Sequence, residues 1–334
     1  MSLTPPAPPA PPAPPAPPTP LGHGAEFDII RRILEGAAPA GAQVALGAGD
    51  DCALIGSADG YLALSVDLSV EGVHFMREWG TPDLIGARAI RAAVSDLAAM
   101  AAEPRVALVA LSVPDDEGAE LAEELGSSCR RAAESLGLSL VGGDLSRGGQ
   151  TLVIDVAVVG SVATPLLRSG ARPGDELWVT GSLGGAAAAV RAWKAGREVD
   201  EAWTRSFWLP NPRVGEARWL LECGASAGID ISDGLVADAG HIAAASGVGV
   251  ELELGVVPAA PGIDARAALS GGEDYELLVA APHGILSAEA VSEFRQHFAT
   301  PLTNVGRVVA GSGVRLYGDG EEVQISALGY DHFN

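Results

Sequence analysis

The sequence predicts an α/β protein with mixed α+β sheets, folded as two domains. Its 334 residues are 48% apolar and include 43 glycines, enough for two buried cores. Strand-period and helix-period segments alternate along the chain. A Pro- and Gly-bearing connection at 163–175 separates two such series, so an N-terminal domain is expected at 22–162 and a C-terminal one at 163–334.

Residues 1–21 stand apart, because Pro-Pro-Ala repeats from Thr4 to Pro20 favour extended polyproline II with little to bury; a disordered or semi-rigid tail is expected. The tail lacks the basic start and continuous apolar segment of a secretion signal, and no stretch approaches the roughly 20 apolar residues of a membrane span. Residues 26–34 follow as a short amphipathic helix. Segment 62–70 alternates: Leu62, Leu64, Val66, Leu68 and Val70 take one face of a strand, so Ala63, Ser65, Asp67 and Ser69 share the other. A helical pattern over 84–102 puts Ile90, Ala93, Val94, Leu97 and Ala101 on one stripe with Asp96 at its edge, the position of a group facing a cleft.

A strand at 106–113, a helix at 117–136 and strands at 138–141 and 152–160 complete the first unit. The second begins with a strand at 176–180 and a Gly-rich turn into an Ala-rich helix from Gly184. Trp193, Trp203, Trp208 and Trp219 are expected to pack beneath a helical insertion.

A formal net charge of −22 excludes partners that need clustered Lys and Arg, namely nucleic acid held by its phosphates and polybasic membrane contacts. Cys52, Cys129 and Cys223 are odd in number and far apart, which fits reduced thiols in the cytoplasm. The chain has one lysine, Lys194, and no GxxxxGK[ST] loop, so phosphates bound here must be neutralised by divalent cations.

Six Gly/Asp elements supply the carboxylates for that task. GAGDDCALI places Asp50 and Asp51 after a glycine turn; it suits a metal site or an exposed Asp-rich turn. The strand LALSVDLSVEGVHF adds Ser65 and Asp67, then His74. VSDLAAM sets Asp96 in a helix where aspartate has poor propensity. LVGGDLSRG is expected to be a strand ending in Gly-Gly-Asp144, where backbone approaches a ligand. GIDISDGL brings Asp230, Ser232 and Asp233 ahead of a helix, with Ser232 or Asp233 also suited to capping it. SGGEDYEL turns Glu273 and Asp274 toward a strand. Together these carboxylates point to several hard cations, Mg²⁺ foremost, shared between protein and phosphates. The glycine turn GSLGGA at 181–186 opens a helix and suits an anion.

These motifs, with Pro210-Asn211-Pro212-Arg213 and the terminal GYDHF, resemble in order those of the thiamine-monophosphate kinase family, within the aminoimidazole-ribonucleotide synthetase-like superfamily. The resemblance covers about residues 25–334 and implies that two-domain fold, a homodimer formed through the N-terminal sheet, and ATP bound with several Mg²⁺ ions. It implies Asp51, Ser65, Asp67, Asp96, Asp144, Asp230 and Asp233 as metal ligands, Val66 joining through its backbone. Gly143, Asp144, Arg168 and Ser232 match nucleotide contacts, and His74, Glu273 and Tyr330 match contacts to thiamine monophosphate. No aromatic stands near Gly126 and Ser127, where many relatives place one against the base. The implied reaction is direct in-line phosphorylation of thiamine monophosphate to thiamine diphosphate, assisted by metal and positioning, with no catalytic side chain. The competing expectations are another ATP-dependent enzyme of the superfamily with a different phosphorylated acceptor, and a nucleotide-binding sensor without catalysis.

Overall fold

The computed structural model describes residues 25–35, 41, 43–324 and 329. The proline-rich tail and Tyr330 lie outside them. In chain order the first unit contains α1 (Ala25–Leu34), β1 (Val44–Leu46), β2 (Ala53–Ser57), β3 (Gly60–Val70), α2 (Pro82–Ala99), β4 (Glu103–Val113), α3 (Ala119–Ser135), β5 (Ser139–Arg147) and β6 (Val153–Val162). The second contains β7 (Glu176–Thr180), α4 (Gly185–Lys194), α5 (Glu201–Trp208), α6 (Val214–Glu222), β8 (Ala227–Ile231), α7 (Leu235–Ser246), β9 (Gly249–Glu253), α8 (Ala265–Leu269), β10 (Glu276–Ala281), α9 (Ala288–Phe298), β11 (Leu302–Val309), β12 (Gly313–Gly318) and β13 (Glu321–Val323). The sheets are mixed, ordered β1-β2-β3-β6-β4-β5 and β13-β12-β9-β11-β7-β10-β8, with parallel pairs at β4·β5 and β9·β12. Among the described residues no helix is long and apolar enough to cross a membrane.

The second sheet is covered on both faces. Leu235, Val236, Ala239 and Ile242 of α7 pack on one side, while Ala217 and Leu220 of α6 and Phe294 of α9 pack on the other. The first sheet is covered on one face, where Ala63, Ile154, Val156 and Val158 meet Ile90, Ala93, Val94 and Leu97 of α2. Burial of these aliphatic side chains is the main favourable term, roughly 1.5–3 kcal/mol for each large one.

Helix α2 binds the two units together. Thr81 caps it by accepting from the Leu84 amide, and Pro82 fills the first turn, where its missing N–H costs nothing. Its small residues let neighbours approach closely on nearly every side: a Cβ at Gly86 would stand 2.8 Å from Cβ of Ser128 on α3. Ala99, at its end, joins the core beneath the second sheet. The indoles divide between two sites. Trp208 is fully buried and packs with Trp193 and Phe207, and Trp79 stacks on Trp193, whereas Trp219 packs edge-on to Phe294.

One local expectation is corrected. The segment after Leu138 does not stop at Gly-Gly-Asp; β5 runs on to Arg147 because its parallel pairing with β4 continues through Val109↔Gly143 and Ala110↔Asp144 to Val113↔Arg147. Gly143 permits this with φ +151°, since a Cβ there would fall 1.7 Å from the Val109 carbonyl oxygen. The alternation expected in β3 is present, and its apolar face is the outward one: Val66 and Leu68 are 66% and 51% exposed, while Ala63 and Ser69 are buried against the interior.

Candidate active site

Three elements bring the central carboxylates together. Asp51 comes from the loop before β2, Asp96 from the last turn of α2, and Asp230 from β8 of the second sheet. Carboxylate oxygens of the three lie within 4.8 Å of one another. Hydroxyls hold two of them: Ser65 Oγ donates to Asp96 Oδ2 at 2.5 Å, and Ser95 Oγ donates to Asp230 Oδ2 at 2.5 Å. Arg168 holds the third, its Nη2 and Nε donating to Asp51 Oδ1 at 2.5 and 3.1 Å, while its backbone N–H reaches the Asp50 carboxylate. Asp51 Oδ2 is buried and has no hydrogen-bond partner among the described residues.

Like charges in a desolvated site cannot all ionise at ordinary cost. Burial, then Asp51, pushes Asp230 up to about 7; burial and Asp51 likewise push Asp50 up to about 7. Asp96 is raised well above the carboxylate range by burial and by Asp230 and Asp51. Asp67 is raised to about 6, chiefly by burial, with Arg88 opposing.

A cavity of about 460 Å³ opens beside this cluster, and Asp67, His74, Trp79, Ser232, Asp233 and Glu273 are among its lining. His74 Nδ1 accepts from the Val70 amide at 3.0 Å, which leaves Nε2 to carry the ring proton. Glu273 has φ +69° and takes Arg88 Nη2 on Oε1 at 2.5 Å; its backbone N–H donates to the Ser232 carbonyl. Arg88 is buried beneath Phe207, 4.3 Å from ring centroid to guanidinium carbon. Asp238 accepts from the amides of Asp233 and Gly234, and so fixes the turn after Asp230. That turn enters α7 through Gly234, with no side-chain cap.

The remaining residues singled out in the sequence sit elsewhere. Val66 points its side chain to the outer face of the sheet. Gly143 and Asp144 lie on the edge strand β5; Asp144 shares a cross-strand row with Ala110, Asp155 and Leu68, one residue out of step with the row of Asp67, Val156, Val109 and Gly143. Tyr330 lies outside the described residues, although its neighbour Gly329 lines the cavity. Arg88, Ser95, Trp79, Tyr275 and Asp238 were not singled out. For Arg88 a signal existed, because it lies eight residues before Asp96 on one helix and therefore near the same face.

Two α/β units joined over a carboxylate cluster define an AIR synthase related protein, and family profiles agree: the N-terminal domain matches 49–162 and the C-terminal domain 172–319. The thiamine-monophosphate kinase of Escherichia coli (strain K12) is 35% identical over 323 residues, covering 92% of this chain and 98% of that one. The structure of AaThiL complexed with AMPPCP and TMP superposes with TM-score 0.78 at 31% identity, covering 93% of this chain and 97% of the other. That of the Stenotrophomonas maltophilia K279a thiamine-monophosphate kinase gives 0.71 at 34% identity, covering 91% and 98%. The chain belongs to the thiamine-monophosphate kinase family.

Proposed function

We infer that this chain transfers the γ-phosphoryl group of ATP to thiamine monophosphate, giving thiamine diphosphate and ADP. The observation that carries this is the cluster of Asp51, Asp96 and Asp230 beside a cavity bounded by His74, Trp79 and Glu273, in a chain of this family. The acceptor is itself a phosphate with a second pKa of about 6, so it is largely ionised at neutral pH and needs no general base. The difficulty is the approach of one anion to another in a chain already rich in negative charge.

The donor set fits a hard divalent cation. It consists of carboxylate oxygens, one of them, Asp51 Oδ2, buried without a partner. Asp51, Asp96 and Asp230 would hold Mg²⁺, with Ser65, Asp67 and Asp233 as further ligands; Asp144 and the Val66 backbone, which lie elsewhere on the first sheet, are assigned to metal from the family resemblance alone. Bound metal supplies charge neutralisation and in-line alignment of the two phosphates. The chain's own groups do the positioning. Arg168 fixes one oxygen of Asp51, while Ser65 and Ser95 fix the rotamers of Asp96 and Asp230. Arg88 holds Glu273 at the cavity wall, where Glu273 and His74 take the thiamine moiety; Tyr330 is assigned to the same substrate from the resemblance of its motif. Gly143, Asp144, Arg168 and Ser232 are assigned to the nucleotide. We divide the chain accordingly into a nucleotide-, metal- and dimer-forming unit at 22–162 and an α/β unit at 163–334.

Thiamine diphosphate is expected, by chromatography, after mixing protein, ATP, Mg²⁺ and thiamine monophosphate, and is expected to be missing with EDTA or with free thiamine as acceptor. Product from free thiamine, or none from the monophosphate, would overturn the assignment.

The outward apolar side chains of β3 and β4, Leu62, Val66, Leu68 and Leu108, suit a second copy of the chain, since such a stripe is costly in water. Sedimentation should give a dimer at micromolar concentration, and Val66→Glu with Leu68→Glu should give a folded monomer. A monomeric parent chain would sink the dimer. The three free thiols are consistent with the cytoplasm.

A further inference from the structure

Helix α2 carries a second arginine, Arg91, that lines a different cavity. This one, of about 620 Å³, is bounded by Arg91, Ser182, Arg205, Asn211 and Arg213, and shares no lining residue with the cavity beside the aspartates. Arg91 Nη1 donates to the Pro210 carbonyl at 3.0 Å, which anchors the guanidinium, while its buried Nε–H meets no acceptor among the described residues. The acids in the same wall are engaged with other groups. Glu276 takes Arg213 Nε and Nη2 on its two oxygens, each at 2.6 Å, and also accepts from Thr180. Asp274 Oδ2 accepts from the Gly184 amide at the start of α4. Neither Arg91 nor Arg205 forms a salt bridge among the described residues, although the chain has 43 acidic against 21 basic residues. Burial and then Arg205 push Arg91 below the ordinary arginine range, so the two guanidiniums repel each other across the cavity.

We propose that this cavity is an anion site, separate from the active site, in which Arg91 and Arg205 bind a phosphate group. An oxyanion between the two guanidiniums would cancel the repulsion between two like charges. Paired guanidiniums match a doubly charged phosphate better than a single carboxylate. The phosphate can be free or part of a small ester, since the cavity is larger than the ion alone.

The test is calorimetric titration of the full chain in EDTA at fixed ionic strength, where the unneutralised aspartates repel anions from the catalytic cleft. Inorganic phosphate and glycerol 2-phosphate are the two probes. Saturable binding of phosphate at one site per chain is expected; equal binding of the ester assigns the site to phosphorylated metabolites, and exclusion of the ester assigns it to the free ion. Arg91→Gln and Arg205→Gln should each weaken binding roughly tenfold, whereas Lys194→Gln, which alters the catalytic cavity, should not. Arg205 is exposed on α5, so its replacement leaves the fold in place. No saturable binding by the parent chain, unchanged affinity in Arg205→Gln, or loss in Lys194→Gln would overturn the proposal.

Discussion

Asp230→Asn is expected to lower turnover by about 10³-fold, the several kcal/mol that metal-assisted charge neutralisation contributes to such a transfer, while leaving the metal-free protein as stable as the parent or more so. The two halves of this expectation separate a functional carboxylate from a structural one. Asp230 is buried and receives Ser95 Oγ at 2.5 Å, a bond an asparagine carbonyl can also accept. A structural role alone would make its loss destabilising, as with any buried polar partner. Its surroundings argue otherwise, because burial and Asp51 hold its pKa near 7 and the neutral amide removes one of the repelling charges. Three measurements decide it: kcat with saturating Mg²⁺ and substrates, the melting temperature in EDTA, and the rise in melting temperature on adding Mg²⁺. Activity within tenfold of the parent, or an undiminished response to Mg²⁺, would remove Asp230 from the metal-holding set.

Asp51, Asp96 and Asp230 also show how much of the site can be read from sequence. Each stands out locally, by a glycine turn, by poor helix propensity, or by a Gly-Ile-Asp strand end. That they meet within 4.8 Å is a fact of tertiary structure. Asp51 and Asp230 lie in different units, and no periodicity links them; order and spacing resembling a known family supplied the link. Arg168 was legible only through that resemblance, as a nucleotide contact, and its grip on Asp51 was not legible at all. Arg88, which holds Glu273 across 185 residues, was visible only by its spacing from Asp96 on one helix.

Strand β3 illustrates a different limit. Alternation over 62–70 correctly put Ser65 and Asp67 on one face, but a period of 2 has no sign: it does not say which face meets the protein's own core. The mixed face, Ala63, Ser65, Asp67 and Ser69, lies against α2, because α2 offers small residues and Asp96 to that side. The apolar face is left outward. In β5 the extent was misread, since consecutive glycines read as a strand end, and the parallel partner β4 outweighed their low strand propensity. Element type was legible where side chains set it; polarity and extent were set by neighbours far away in the chain.

The metal-free chain is expected to be more stable at about pH 5.5 than at about pH 8, the reverse of ordinary acid destabilisation. Asp50 and Asp230 titrate near 7 and Asp67 near 6 in the folded state, against 3.8 for the ordinary carboxyl. Between about 4 and 7 the folded chain therefore binds more protons than the unfolded one, and linkage makes its stability fall as pH rises through that window. With roughly 1.4 kcal/mol per pKa unit for each group, shared among carboxylates that repel one another, a change on the order of 3 kcal/mol is expected, or roughly 5–10 °C in melting temperature. Mg²⁺ reverses the balance, because the cation requires the same carboxylates deprotonated. Melting temperatures in EDTA and in Mg²⁺ should thus lie close together at the acidic end and separate as pH rises. General charge repulsion in this acidic chain acts in the same direction, so the comparison needs Asp230→Asn at the same ionic strength: the variant should lose a substantial part of the slope in EDTA, whereas charge repulsion alone would leave it nearly unchanged. A metal-free melting temperature that climbs from acid to alkaline pH would show that these carboxylates do not crowd one another in the folded chain, and with that the case for a cation at their centre would fail.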